Sequence, residues 1–129
     1  MEGKNFIMKL RIHGNSLRIR LTRPEVARLA DTGYLEEQTL FARNKLVYAL
    51  QRVDHGDELS ATFDTNKITM FVPDKLIEHW PQNDVVGFDA RLPLTAKDTL
   101  YLLLEKDFAC RHETDEDQKD HYKNPDKSI

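Results

Sequence analysis

Thiol and metal chemistry would gather around Cys110, His112 and His121. In the stretch CRHETDEDQKDH, residues 110–121, the chain's one cysteine stands beside two histidines and a dense set of carboxylates. Cysteine and histidine are ligands that Zn²⁺ favours, and a carboxylate can supply a fourth position. The spacing argues against it. A C-x-H with its next histidine nine residues on fits no standard zinc pattern, and there is no second cysteine. A calcium loop fails too, because Asp115, Asp117 and Lys119 break the alternation of oxygen ligands and the turn glycine is missing. Nucleophilic use of Cys110 would need a thiolate, and its acidic neighbours favour the thiol. Phe108-Ala109-Cys110 reads instead as a small apolar anchor with a buried structural cysteine. No cofactor is expected; zinc at Cys110, His112 and His121 is the alternative that the residue types raise.

A second cluster is basic. Lys9, Arg11, His13, Arg18 and Arg20 lie in two short runs separated by Gly14-Asn15. Every second residue of Met8–Ile12 and of Leu17–Leu21 is apolar, the period of a strand with one buried face. Gly14-Asn15 suits a two-residue hairpin turn, which pairs Ile12 with Leu17 and Leu10 with Ile19. The same register sets Lys9 against Arg20 and Arg11 against Arg18, with His13 and Ser16 beside the turn. Like charges directly opposite one another destabilise a sheet by a few tenths to about 1 kcal/mol. Either long side chains splay into solvent, or something compensates: Glu36 or Glu37, the acidic tail, or a bound anion.

The elements that would position these residues follow from periodicity. Thr22-Arg23-Pro24-Glu25 reads as a helix start with a capping box; Val26, Leu29 and Ala30 form its apolar stripe and Gly33 its stop. Strands are predicted at Tyr34–Phe41 and Lys45–Val53. The order then repeats: a hairpin of Leu59–Asp64 with Lys67–Val72 around Thr65-Asn66, a short helix from Pro73-Asp74 carrying Leu76, Ile77 and Trp80, and strands near Val85–Leu92 and Thr99–Glu105. Trp80 is expected in the core, since apolar positions at helical spacing face inward. Without gaps, SLRIRLTRPEVARL lies over KITMFVPDKLIEHW, and NKLVYALQR over DTLYLLLEK, apolar on apolar. The predicted fold is therefore α+β: one curved or closed antiparallel sheet of about eight strands with two helices, built by internal duplication of a ββαββ unit. Residues 1–109 form a single domain with half-units of about 6–54 and 55–107. Residues 110–129 are an acidic tail, folded onto the domain or partly disordered.

Composition bounds the partners. The chain has 129 residues, 40% hydrophobic and 32% charged, as in a soluble globular protein. Its net charge of −3 combines +4 in residues 1–54 with −7 in residues 55–129, so the basic half can be neutralised internally. Few aromatics accompany the basic residues, and nucleic acid is not indicated. One cysteine and no apolar run of signal-peptide or membrane-spanning length point to the cytoplasm, with no membrane contact.

Two motifs carry a resemblance. Lys9 to Thr22 reads K-L-R-I-H-G-N-S-L-R-I-R-L-T, followed by Gly33-Tyr34; Glu105 to Cys110 reads E-K-D-F-A-C, followed by Glu116-Asp117, Asp120 and Asn124-Pro125. Over nearly its whole length the chain resembles a bacterial domain family of unknown function, with an N-terminal K-x-R-I-x-G-N-S-x-R-x-R-L-T and a C-terminal E-K-D-F-x-C…E-D…D…N-P. It departs at Arg111, where leucine is usual, and His112 and His121 are not part of the pattern. The resemblance implies no activity, cofactor or partner. It does pair a basic motif with an acidic one. A tail anchored by Phe108 and Cys110 is expected to fold back, with Glu116, Asp117 and Asp120 meeting the hairpin arginines.

Because no catalytic set assembles, the first reading is a non-enzymatic binding module that presents its sheet to a protein or a small anionic ligand. The second is a small enzyme or sensor for a phosphate-bearing ligand at Lys9, Arg11, Arg18 and Arg20. In outline it is similar to the triphosphate-processing barrels, although no E-x-E-x-K run is present. Arginines inside a closed barrel would support that reading, and arginines on the outer surface would sink it. Metal sensing by the tail is the third.

Overall fold

Hairpins dominate because short turns join strands of alternating polarity. The computed structural model describes residues 8–108. Strands β1 (Lys9–His13) and β2 (Ser16–Leu21) pair in the expected register, Lys9 against Arg20 and Arg11 against Arg18. Gly14 turns the chain at φ 58°, a conformation glycine adopts without a Cβ penalty. Helix α1 (Arg23–Thr32) starts at Thr22 and stops at Gly33, whose φ of 82° is left-handed and whose N–H bonds Leu29 O. Beyond it lie β3 (Tyr34–Leu40), β4 (Lys45–Val53), β5 (Ser60–Asp64) and β6 (Lys67–Pro73). Then come α2 (Asp74–Ile77), a 3₁₀ turn at Trp80–Gln82, β7 (Gly87–Pro93) and β8 (Thr99–Lys106). Trp80 belongs to the 3₁₀ turn rather than to α2, because Pro81 cannot continue an α-helical hydrogen-bond ladder.

Among the described residues, eight strands and two helices match the expected α+β class; the single sheet does not. The strands form two open four-stranded sheets, ordered β1-β2-β8-β7 and β3-β4-β6-β5. Each has antiparallel outer pairs and a parallel central pair, β2 with β8 and β4 with β6. The reason is the two long connections. α1 carries the chain from one sheet to the other, and the segment containing α2 carries it back, so each sheet takes one hairpin from each half.

The sheets are topological counterparts. Replacing β1–β4 by β5–β8, and the reverse, turns one strand order into the other. The parallel registers correspond as well: Ser16 faces Tyr101 in one sheet and Lys67 faces Val47 in the other. The ungapped overlay of the halves places Ser16 on Lys67 and Val47 on Tyr101. That correspondence concerns strand order and register, not ancestry.

One buried cluster joins both sheets. Leu17, Ile19, Leu21, Leu102 and Leu104 meet Leu35, Leu50, Ile68, Met70 and Val72, together with Val26 and Leu29 of α1, Ile77 of α2 and Trp80. Trp80 is fully buried; its indole N–H donates to Val85 O at 2.7 Å and its ring lies 4.9 Å from that of Phe88. No helix among the described residues is long and apolar enough to cross a membrane.

Candidate functional site

With the apolar side of β1, β2, β8 and β7 committed to the core, strand alternation turns the other side outward. Three rows of residues cross that outer face. Lys9, Arg20, Glu105 and Gly87 form the first, Arg11, Arg18, Leu103 and Asp89 the second, and His13, Ser16, Tyr101 and Arg91 the third. All five residues of the expected basic cluster are thus brought together on one open sheet face. It is solvent-facing and belongs to no closed barrel, so the condition that would have supported a triphosphate-processing barrel is not met.

The like-charge pairs of the hairpin are compensated from β8. Glu105 Oε1 accepts from Arg20 Nε at 3.2 Å and lies 3.8 Å from Arg18 Nε, while Lys9 Nζ pairs with Asp107 at 2.8 Å. Glu36, one of the expected compensators, instead accepts from the Tyr34 hydroxyl at 2.6 Å and lies 3.8 Å from Lys67 Nζ, on the other sheet. Glu105 and Asp107 were missed because the parallel pairing of β2 with β8 was not foreseen. A signal was present: Tyr101, Leu103, Glu105 and Asp107 continue one period-two face from β8 past its end.

Compensation is uneven. Arg11 has no ion pair among the described residues, and Arg18 shares a single distant carboxylate with Arg20. Between them opens a concavity of about 280 Å³, lined by Arg11, His13, Ser16, Arg18, Tyr101 and Leu103. The Ser16 hydroxyl donates to His13 O at 2.6 Å and so holds the turn. The Tyr101 hydroxyl donates to Asp89 at 2.9 Å, which raises its pKa above the ordinary 10.0 and keeps it a neutral donor. Arg91 lies over the Tyr101 ring at 5.9 Å. Two guanidinium groups, an imidazole and an aromatic wall can hold an oxyanion. Each guanidinium presents a planar fork that matches a carboxylate or phosphate.

A larger groove, about 720 Å³, runs between α1 and the end of β8, lined by Arg23, Val26, Ala27, Asn83, Lys106 and Phe108 among others. Phe108 stands exposed on its rim. The expected tail contacts of Cys110, Glu116, Asp117 and Asp120, and the metal candidates Cys110, His112 and His121, lie outside the described residues.

The chain belongs to a family of unknown function (DUF7009), whose model matches residues 8–126. No curated protein and no solved structure matches it.

Proposed function

Taking membership of that family as the premise, we propose that the protein is a non-enzymatic binding module that receives an anionic group on the outer face of its first sheet. Arg11 and Arg18 are the primary contacts, with His13 and Tyr101 at the edge. The observation that carries this reading is the surplus of positive charge at the concavity. Arg11 has no carboxylate partner among the described residues, although it stands directly opposite Arg18. A face left with that repulsion is a face on which an anion lowers the energy. Both arginines keep solvent access, so a ligand need not displace any core contact. The single cysteine supports the cytoplasm as its compartment.

Calorimetric titration with inorganic triphosphate and with citrate tests the reading and separates phosphate from carboxylate chemistry. Binding should weaken as salt rises and should disappear in Arg11→Gln/Arg18→Gln, whose melting temperature should stay close to that of the wild type. Equal binding by wild type and double variant would sink the assignment.

A further inference from the structure

We infer that the basic face has an occupant within the same chain, the acidic run Glu113–Asp120, which competes there with external anions. This rests on the reading of the face as an anion site. Three observations lead to it.

The first is where the sheet hands over to the tail. Asp107 N–H donates to Leu21 O at 2.7 Å, so the backbone past β8 still runs beside the end of β2. Alternation puts Asp107 on the same side as Glu105, and its carboxylate pairs with Lys9 at 2.8 Å. The chain therefore leaves the sheet at the foot of the basic face, already making the kind of contact proposed for the residues beyond.

The second is charge. Glu113, Asp115, Glu116, Asp117 and Asp120 stand against one Lys119 in that run. Opposite them are Arg11, which has no ion pair among the described residues, and Arg18, whose carboxylate is shared. The third is reach. Five residues separate Asp107 from Glu113, and the six steps between them span roughly 20 Å when extended. From Arg20 to Ser16 the β2 strand rises about 14 Å. The run can cover the whole face.

An intramolecular acidic segment meets the face at high effective concentration, so weak individual ion pairs suffice to hold it. If it covers the face nine-tenths of the time, external affinity falls roughly tenfold.

The test uses the full chain. A nitroxide is placed within the run in a Cys110→Ser/Gln118→Cys variant, and broadening of backbone amide signals is read by NMR. Docking predicts broadening centred on Arg11 to Arg18 that is lost in Arg11→Gln/Arg18→Gln and at high salt. Broadening over Val26, Ala27 and Asn83 would place the tail in the groove beside α1 and overturn the inference, as would broadening that the arginine variant leaves unchanged. In parallel, triphosphate is titrated into Asp115→Asn/Glu116→Gln/Asp117→Asn/Asp120→Asn, which should bind roughly tenfold more tightly than the wild type. Equal affinities would overturn the competition. Triphosphate failing to bind this neutralised chain, while the label still reports docking, would remove the external-anion reading and leave the intramolecular contact standing.

Discussion

Glu105 Oε1 lies 3.2 Å from Arg20 Nε, a contact made across 85 positions of sequence. The same oxygen is 3.8 Å from Arg18, so one carboxylate serves two cations. Stability and anion affinity should then move in opposite directions when it is neutralised. Glu105→Gln keeps the shape and removes the charge; both pairs are partly solvated, so the expected loss is only about 0.5–1 kcal/mol in urea denaturation. Triphosphate binding should tighten in the same variant. Weaker binding would mean that Glu105 orients the arginines more than it neutralises them.

Gly87 faces Glu105 across the β7–β8 pair. A Cβ built there would stand 2.4 Å from Leu104 O and 3.0 Å from Glu105 Cα. These are backbone atoms of a central strand and cannot swing aside. Gly87→Ala should therefore destabilise the protein by about 1–3 kcal/mol, the range for overpacking. Denaturant midpoints at constant slope would check it. A silent substitution would show that β7 can separate from β8 at this end.

Glu25 is 2% exposed and accepts from both the N–H of Thr22, at 2.8 Å, and its hydroxyl, at 3.1 Å. Burial pushes its pKa above the ordinary 4.5, the hydrogen bonds to Thr22 oppose that, and the nearby charges of Glu37 and Asp107 add to the rise. The native state thus binds its proton more tightly than the unfolded chain does. The associated stability is fully present below pH 4.5 and is lost as pH rises through the elevated value. Glutamine also suits this capping position and can still accept from Thr22. Glu25→Gln should flatten the fall in stability above pH 4.5 and leave the neutral-pH protein as stable or more stable. Urea midpoints across that range should diverge between the two proteins; parallel curves would contradict the assignment. Glu25→Ala leaves Thr22 as the cap but removes the carboxylate that accepts from its N–H and hydroxyl, and should cost about 1 kcal/mol.

Local features were legible in the sequence, and long-range pairing was not. The register of Arg11 with Arg18 followed from a two-residue turn and a period of two, both properties of adjacent residues. The hairpin around Thr65-Asn66 likewise formed where the turn residues put it, with Phe63 against Ile68. Alternation puts Ile12 on the apolar face with Leu10, yet Ile12 and Phe63 are 59% and 67% exposed, because they sit on edge strands next to hairpin turns. Periodicity cannot say which hairpin lies beside which. The arginines were visible early for that reason, while Glu105, Asp107 and Tyr101 were not. They reach the face only because β8 pairs with β2, a choice set by where the helical connections carry the chain.

That exchange of hairpins makes the last prediction the sharpest. Residues 1–54 contain β1–β4, but in the folded chain β2 leans on β8 and β4 on β6. Separated from its complement, this fragment would expose two unpaired inner edges and half of the buried cluster. Isolated two-stranded hairpins are at best marginally stable in water. Fragments 1–54 and 55–129 should each lack a cooperative thermal transition, whereas their mixture should assemble one to one and melt cooperatively. The break falls in an exposed loop where Gly56 has φ 84°, so the cut itself disturbs no strand. A fragment 1–54 that melted cooperatively as a monomer would contradict the exchanged topology. One that did so only as a homodimer would be informative in another way: β2 of each copy could take β4 of the other in the place of β8, since the two parallel registers correspond. Sedimentation of each fragment and of the mixture distinguishes these cases, because only the exchanged architecture makes folding depend on a second half-chain.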